Sequence, residues 1–315
     1  MKPFAKTLRV FFIALLVLLT VIYILFGHAD KPVTELKEKY ATAPSAFILV
    51  DGMDVHYRDE GNRADSLPLV LIHGTGASLH TFDAWVTELK KDKRVIRMDL
   101  PAFGLTGPFP NRQYSIDHYV VFMNQFLVAL GIKKCIIGGN SLGGDIAWNF
   151  TVQFPEMVQK LILIDAAGYP LQSESVPIGF RIARIPVLNK LMIFVTPRFM
   201  VKSSIENVYA DHSKVTDALV DRYFDLTLRK GNRQALIDRL NLVADSSAFA
   251  LIKNIQQPTL ILWGEQDLLI PVQYATRFHN DLPNDTLVVL KNTGHVPMEE
   301  SPKESLAPLL EFLKK

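Results

Sequence analysis

The chain has 315 residues, of which 49% are hydrophobic, so it can bury a large core and is neither disordered nor fibrous. Its 34 basic and 32 acidic residues leave a net charge of +2, which excludes the basic footprint of a nucleic-acid-binding protein. The single cysteine, Cys135, excludes an intrachain disulfide and a cysteine-rich metal site.

The first element in the chain is an apolar segment over residues 10–26, where only Thr20 and Tyr23 interrupt aliphatic and Phe residues. Seventeen such residues are close to the minimum that spans a ~30 Å hydrocarbon layer. The basic residues precede this segment at positions 2, 6 and 9, which favours an N-terminus in the cytoplasm and an exported catalytic domain, on the periplasmic side in a Gram-negative cell. We therefore predict a membrane anchor over residues 1–29.

Two alternatives to a retained anchor stay open. Gly27-His28-Ala29 is a tolerable cleavage site, so the segment could be a signal peptide and the mature protein secreted. The segment could also be a hydrophobic helix that packs on the protein or lies on the membrane surface. A polar linker is predicted over residues 30–45.

Short apolar runs separated by amphipathic stretches predict an eight-stranded, mostly parallel sheet with helices on both faces, an α/β class fold. Asp51-Gly52 lies between the first two runs and favours a tight hairpin turn. The predicted strands are 47–50, 55–58, 69–72, 95–98, 135–137, 161–164, 259–263 and 287–290.

The alternation fails in the middle of the chain, where prolines interrupt helical patterns and no strand is predicted. We interpret residues 170–251 as a helical cap inserted between two parts of the core, 46–169 and 252–315. Its first half mixes large apolar residues with arginine and lysine. Such a surface could cover a pocket or face lipid.

The main chemical signal is Gly139-Asn140-Ser141-Leu142-Gly143-Gly144, a G-x-S-x-G motif between a predicted strand and a predicted helix. A nucleophilic serine must stand on a sharp turn with its hydroxyl exposed, and the flanking glycines allow the backbone to approach closely. Ser141 is therefore the candidate nucleophile.

A serine hydroxyl needs a general base, and the base needs an acid that fixes its tautomer. His295 follows the last predicted strand and is the candidate base. Asp267 follows the preceding strand and is the favoured acid, in the chain order Ser, Asp, His. Asp165, at the end of another strand, is the alternative acid.

The negatively charged oxygen of a tetrahedral intermediate needs preorganised donors. The backbone N–H of Leu142 is one candidate, and the N–H of Thr75, in the loop His73-Gly74-Thr75-Gly76, is the second, with Gly76 as the fallback. We expect His73 itself to be structural.

Over residues 46–315 the sequence resembles the α/β-hydrolase superfamily, including microbial lipases, carboxylesterases and membrane-anchored monoacylglycerol lipases. The resemblance implies that Ser141, Asp267 and His295 are catalytic and that Asp99 is structural. The matching segments are His73–Gly76, Asp99–Gly104, Gly139–Gly144, Trp263–Asp267 and Gly294–Pro297.

The resemblance and the apolar cap together predict a serine hydrolase that cleaves carboxylic esters without metal or organic cofactor, with a small ester or lipid as substrate. Carbon–carbon bond hydrolases of ring-cleavage products are the main alternative. Many of these carry Arg after the acid and Trp after the histidine, whereas this chain has Leu268 and Val296. A non-catalytic ligand-binding protein is a further alternative. The oligomeric state is not predicted.

Overall fold

The computed structural model describes residues 2–242 and 248–315, with side chains from residue 6 onward. Residue 1 of the predicted anchor and residues 243–247 of the predicted cap lie outside the described residues. The strands confirm the predicted eight-stranded sheet. They are β1 (Ala46–Val50), β2 (Met53–Gly61), β3 (Leu69–Ile72), β4 (Arg94–Met98), β5 (Cys135–Asn140), β6 (Val158–Ile164), β7 (Thr259–Gly264) and β8 (Asp285–Leu290).

The sheet has the order β1-β2-β4-β3-β5-β6-β7-β8. The first two strands run antiparallel to each other, β2 runs antiparallel to β4, and the remaining neighbours are parallel. Asp51 and Gly52 have φ values of 48° and 74°, the positive values that a two-residue hairpin turn requires. The carboxyl ends of the parallel strands meet at one edge, where the loops carry the candidate site residues.

Helices cover both faces of the sheet. The central strands are therefore buried on both sides, which explains why their sequences are largely apolar. Two buried clusters form the core, one on each face. The helices of one face are α4 (Ile116–Ala129), α5 (Leu142–Gln153) and α11 (Gln273–Asp281), and those of the other are α3 (Asp83–Leu89) and α13 (Pro302–Lys314). The short α12 (Pro297–Glu300) follows the last strand.

Between β6 and β7 the described residues form helices and turns, without a strand of the main sheet. The helices are α6 (Ile178–Ala183), α7 (Leu188–Met192), α8 (Arg198–Glu206), α9 (Asp217–Thr227) and α10 (Asn232–Leu240). This segment lies where the sequence predicts the helical cap. Prolines stand before α6 and α8, at residues 177 and 197, where a fixed φ suits a helix start.

The N-terminal segment is a helix, α1 (Lys2–Phe26), with a 21-residue apolar stretch over Lys6–Phe26 that is long enough to span a membrane and is not buried in the protein. The predicted linker is more structured than its polar composition indicates, because it contains α2 (Val33–Tyr40). Leu36 and Tyr40, one helical turn apart, are buried, and Tyr40 Oη donates a hydrogen bond of 2.7 Å to Asp225 of α9.

Candidate active site

Ser141 stands on a sharp turn between β5 and α5, with φ 56° and ψ −117°. Such a backbone conformation costs a non-glycine residue about 1–3 kcal/mol and is found mainly at functional sites. Two backbone hydrogen bonds hold the turn, from Ser141 N to Ile164 O (3.0 Å) and from Ala167 N to Ser141 O (3.1 Å). A Cβ at Gly143 would lie 2.2 Å from the Ile72 carbonyl oxygen, so the motif requires glycine there.

His295 is fixed at both its ring and its backbone. Its Nδ1 lies 2.6 Å from Asp267 Oδ2, and both side chains are buried. The His295 amide donates to Val208 O in the cap (2.9 Å), and the His295 carbonyl accepts from Asn140 Nδ2 (2.9 Å). With Nδ1 committed to Asp267, Nε2 is the ring nitrogen that can accept a proton.

Asp267 is held by its own loop. Its Oδ1 accepts backbone N–H bonds from Leu269 (2.8 Å) and Ile270 (3.0 Å), while Oδ2 faces His295. These contacts hold the carboxyl group in the position that an acid partner of His295 requires.

Asp165, the alternative acid, is fully buried beside this pair at the end of β6. Its Oδ1 accepts a hydrogen bond of 2.8 Å from Gly264 N. Burial and, after it, the nearby Asp267 carboxylate raise the pKa of Asp165 well above its ordinary value, which favours the protonated form of this carboxyl. The geometry therefore pairs His295 with Asp267 and gives Asp165 a supporting position behind that pair.

The loop after β3 brings the predicted oxyanion donors next to Ser141, the candidate nucleophile. Thr75 lines the same cavity as Ser141, and Leu142 is the first residue of α5, where helical N–H groups have no intrahelical acceptor. Within the described parts of the chain, neither the Thr75 nor the Leu142 amide has a protein acceptor. Gly76, the fallback donor, lies in the same loop with φ 77°.

His73 has both ring nitrogens engaged away from the nucleophile. Its Nδ1 lies 2.8 Å from Gly74 O, and Nε2 accepts a hydrogen bond of 2.9 Å from Leu100 N. Burial lowers the pKa of His73, so the ring stays neutral and ties the β3 loop to the loop after β4.

The cavity over Ser141 encloses about 120 Å³. Ser141 and His295 lie on one wall, and most of the remaining lining is apolar and comes from the cap, with Phe180, Met192, Met200, Ile205 and Leu236 among the largest side chains. Among the described residues that line the cavity there is no Lys, Arg, Asp or Glu.

This geometry agrees with the comparison to known proteins. A family model described as the alpha/beta hydrolase fold matches residues 68–302, which is 235 of the 315 residues. The chain belongs to the α/β-hydrolase fold family.

Three similar proteins indicate the range of chemistry in this family. A 2-hydroxymuconate semialdehyde hydrolase from Pseudomonas sp. strain CF600 is 28% identical over 263 residues, 79% of this chain and 86% of that protein. A meta-cleavage product hydrolase from Pseudomonas fluorescens IP01 is 26% identical with a TM-score of 0.73, covering 85% of this chain and 97% of the other. A membrane phospholipase A, a bacterial virulence factor, is 25% identical with a TM-score of 0.68 and covers 100% of this chain and 98% of the other.

Two polar residues of this α/β hydrolase support the site without having been singled out in the sequence. Asn140 donates to the carbonyls of both His295 and Ile164 and so joins two strand ends. Glu300 accepts from the amides of Gly294 (2.7 Å) and Asp211 (2.8 Å), which ties the histidine loop to the cap. Asn140 lies inside the serine motif, but nothing local to Glu300 in the sequence marks its role.

A metal centre is a poor fit to the carboxylates of this hydrolase. Asp165, Asp267 and His295 place one candidate ligand atom each within 4.8 Å of one another. However, the raised pKa of Asp165 favours a protonated carboxyl, which binds metal weakly, and Nδ1 of His295 and both oxygens of Asp267 already take part in hydrogen bonds. The cluster has the chemistry of a hydrogen-bonded acid–base pair with a second carboxyl behind it.

Proposed function

We propose that this α/β hydrolase is a serine esterase that acts on neutral, apolar acyl esters. The observation that carries the proposal is the lining of the cavity, which is apolar and lacks a cationic side chain in its described part. A carboxylate group would lose its hydration in such a cavity without gaining a partner, whereas an acyl chain gains from burial.

The proposed reaction uses three side chains and two backbone amides of this chain. Ser141 Oγ attacks the ester carbonyl carbon while His295 Nε2 accepts the serine proton, and Asp267 stabilises the resulting imidazolium. The amides of Leu142 and Thr75 bind the oxyanion. The tetrahedral intermediate collapses, His295 returns the proton to the departing alcohol, and water then hydrolyses the acyl-enzyme by the same steps.

Carbon–carbon bond hydrolysis is the second candidate, because two of the similar proteins are hydrolases of ring-cleavage products. The substrate in the name of the Pseudomonas sp. relative, 2-hydroxymuconate semialdehyde, is a carboxylate. In this chain Val296 lines the cavity and Leu268 is 44% exposed, so neither position supplies a polar anchor for that group. This difference favours the ester.

Parallel assays with substrates of the two classes test the proposal. Full-length protein in detergent would be assayed with p-nitrophenyl esters from acetate to palmitate and, in parallel, with 2-hydroxymuconate semialdehyde. We expect ester hydrolysis that Ser141→Ala abolishes. Turnover of the semialdehyde by protein that leaves every ester intact would replace the ester proposal with the carbon–carbon one.

We further propose that α1 is retained as a membrane anchor, with its N-terminus in the cytoplasm. The end of the helix is bound to the cap, which supports retention: the Phe26 and Phe199 rings lie 5.7 Å apart, and His28 N donates to Phe194 O (3.0 Å). Arg233 also donates to His28 O (2.9 Å). N-terminal sequencing of membrane-fraction protein tests retention, and a C-terminal reporter active only in the cytoplasm would contradict the orientation.

A further inference from the structure

A second apolar space lies outside the Ser141 cavity, between α1 and the cap. We call it the membrane groove and define it by Leu19, Ile22 and Tyr23 of α1 and by Leu188, Leu191 and Phe199 of the cap. It has a volume of about 760 Å³, and Ser203 is its single hydroxyl-bearing cap residue. The groove is therefore as apolar as the cavity and much larger.

The position of α1 determines what the groove faces. Ile22 is four residues before the end of the helix at Phe26, so it lies about 6 Å inside the end of the apolar stretch. A helix that spans the bilayer would place this part of the groove in the hydrocarbon layer or directly at its boundary. Phe194 (58% exposed) and Phe199 (63% exposed) lie on the same side of the cap and would be covered by lipid there.

The cap also carries exposed basic residues close to this apolar surface. Arg181, Arg184 and Lys190 are exposed on and around α6 and α7. Cationic side chains beside an apolar surface are typical of proteins that rest against phosphate headgroups. The charge and the exposed aromatic rings thus both indicate a lipid surface on this side of the cap.

Two methionines separate the groove from the cavity. Met192 and Met200 line both spaces and are 9% and 8% exposed. Methionine has three rotatable bonds and adapts its shape at low cost, so these two side chains are the most adaptable part of the wall between the spaces. The two spaces are therefore adjacent across the cap, and Met192 and Met200 are the residues that contact both.

The size of the cavity requires such an extension for a long substrate. At roughly 10–15 Å³ for each water-sized group, a cavity of about 120 Å³ holds about ten such groups. A long acyl chain whose carbonyl sits at Ser141 must leave the cavity after about ten groups, and the groove is the adjoining apolar space.

We infer that the membrane groove is the entrance through which the acyl chain of a bilayer lipid reaches Ser141, with Met192 and Met200 as the movable partition. The inference rests on the proposed esterase function and names its substrate source, a long-chain ester dissolved in the membrane. A second copy of this chain is the alternative occupant of the groove. The experiment below distinguishes a lipid acyl chain from a second copy.

The native cysteine makes a selective block possible. Cys135 is fully buried, and burial raises the pKa of its thiol to about 12, so it does not react with maleimides in the folded protein. Leu191→Cys introduces a reactive thiol in the groove at a residue that is 42% exposed. Val121→Cys, 47% exposed on α4, is the matched control outside it. Because a pyrenyl maleimide is attached after folding, misfolding does not confuse the result.

Each full-length variant would be placed in phosphatidylcholine vesicles and assayed before and after labelling. The two substrates are p-nitrophenyl palmitate dissolved in the vesicles and p-nitrophenyl acetate in water. Both release p-nitrophenol, so their rates are measured in the same way. We expect labelling of Leu191→Cys to lower the palmitate-to-acetate rate ratio at least about tenfold, the factor that two lost methylene contacts give. Labelled Val121→Cys should keep its ratio.

An unchanged ratio in labelled Leu191→Cys, or an equal fall in both variants, would overturn the entrance. A dimer that sedimentation shows to dissociate on labelling, with the ratio unchanged, would assign the groove to contact between copies instead. Failure of the unlabelled enzyme on acetate itself would refute the esterase proposal, and with it the entrance, and is distinguishable from both outcomes.

Discussion

Substitution of Asp165 or Asp267 by asparagine tests which of the two carboxyl groups is the acid partner of His295. In Asp267→Asn the amide group replaces an oxygen that lies 2.6 Å from Nδ1 or one that accepts two backbone N–H bonds. Either orientation removes a charged acceptor, and one of them presents an N–H to Nδ1 and so favours the unproductive tautomer. We expect kcat to fall about 10⁴-fold, or about 5 kcal/mol of transition-state stabilisation.

Asp165→Asn should behave differently because Asp165 does not contact His295 and its raised pKa favours the protonated carboxyl, which asparagine resembles. Asparagine keeps a carbonyl oxygen for the Gly264 amide, and its amino group replaces Oδ2, which has no hydrogen-bond partner among the described residues. The loss is at most the difference between two hydrogen bonds, so kcat should stay within about tenfold of the native value.

The assay is p-nitrophenyl acetate hydrolysis by full-length variants whose folding is checked by circular dichroism. Burst amplitude gives the active fraction and steady-state turnover gives kcat. A larger loss in Asp165→Asn than in Asp267→Asn would refute the pairing of Asp267 with His295. Equal, small losses would refute the need for an acid in this site.

Three further predictions concern stability, each checked by urea or thermal unfolding. Burial and, after it, the Asp267 charge raise the folded-state pKa of Asp165, so the stabilising effect of this carboxyl is complete below its ordinary pKa of 3.8 and is lost as the pH rises through the raised pKa. Asp165→Asn should therefore gain stability relative to the native protein as the pH rises above about 4, and a difference that stays constant with pH would contradict this. Ser141→Gly should abolish activity yet raise stability by about 1 kcal/mol, since glycine tolerates φ 56°; a fall would refute the strain. Gly143→Ala should cost about 3 kcal/mol, and a neutral result would contradict the contact with Ile72 O.

The sequence predicts the sheet well because buried parallel strands leave short apolar runs that local composition reveals. All eight predicted strands are present, although β2 extends to Gly61 and β6 begins at Val158, where the flanking residues are polar or charged. The nucleophile turn is equally local, since it depends on glycines two residues either side of Ser141.

Other features depend on contacts between distant segments and leave no local pattern. The linker has a polar sequence, yet it contains α2, which is held by the buried Tyr40 and the hydrogen bond of Tyr40 to Asp225, 185 residues away. The groove also depends on such contacts, because α1 and the cap that form it are far apart in the sequence. Periodicity within one segment carries no information about such contacts.

The choice between Asp165 and Asp267 shows how a tertiary contact resolves a local ambiguity. Both residues follow buried strands, so their sequence settings are alike. They differ in what surrounds each carboxylate: Asp267 receives two amide hydrogens and a histidine, whereas Asp165 receives one amide and lies against another acid. The carboxyl group with more hydrogen-bond donors around it is the one placed to serve the histidine. Burial and, after it, the Asp267 carboxylate raise the pKa of Asp165, which favours its protonated form, so the less favoured acid can lie behind the pair without adding a second charge to it.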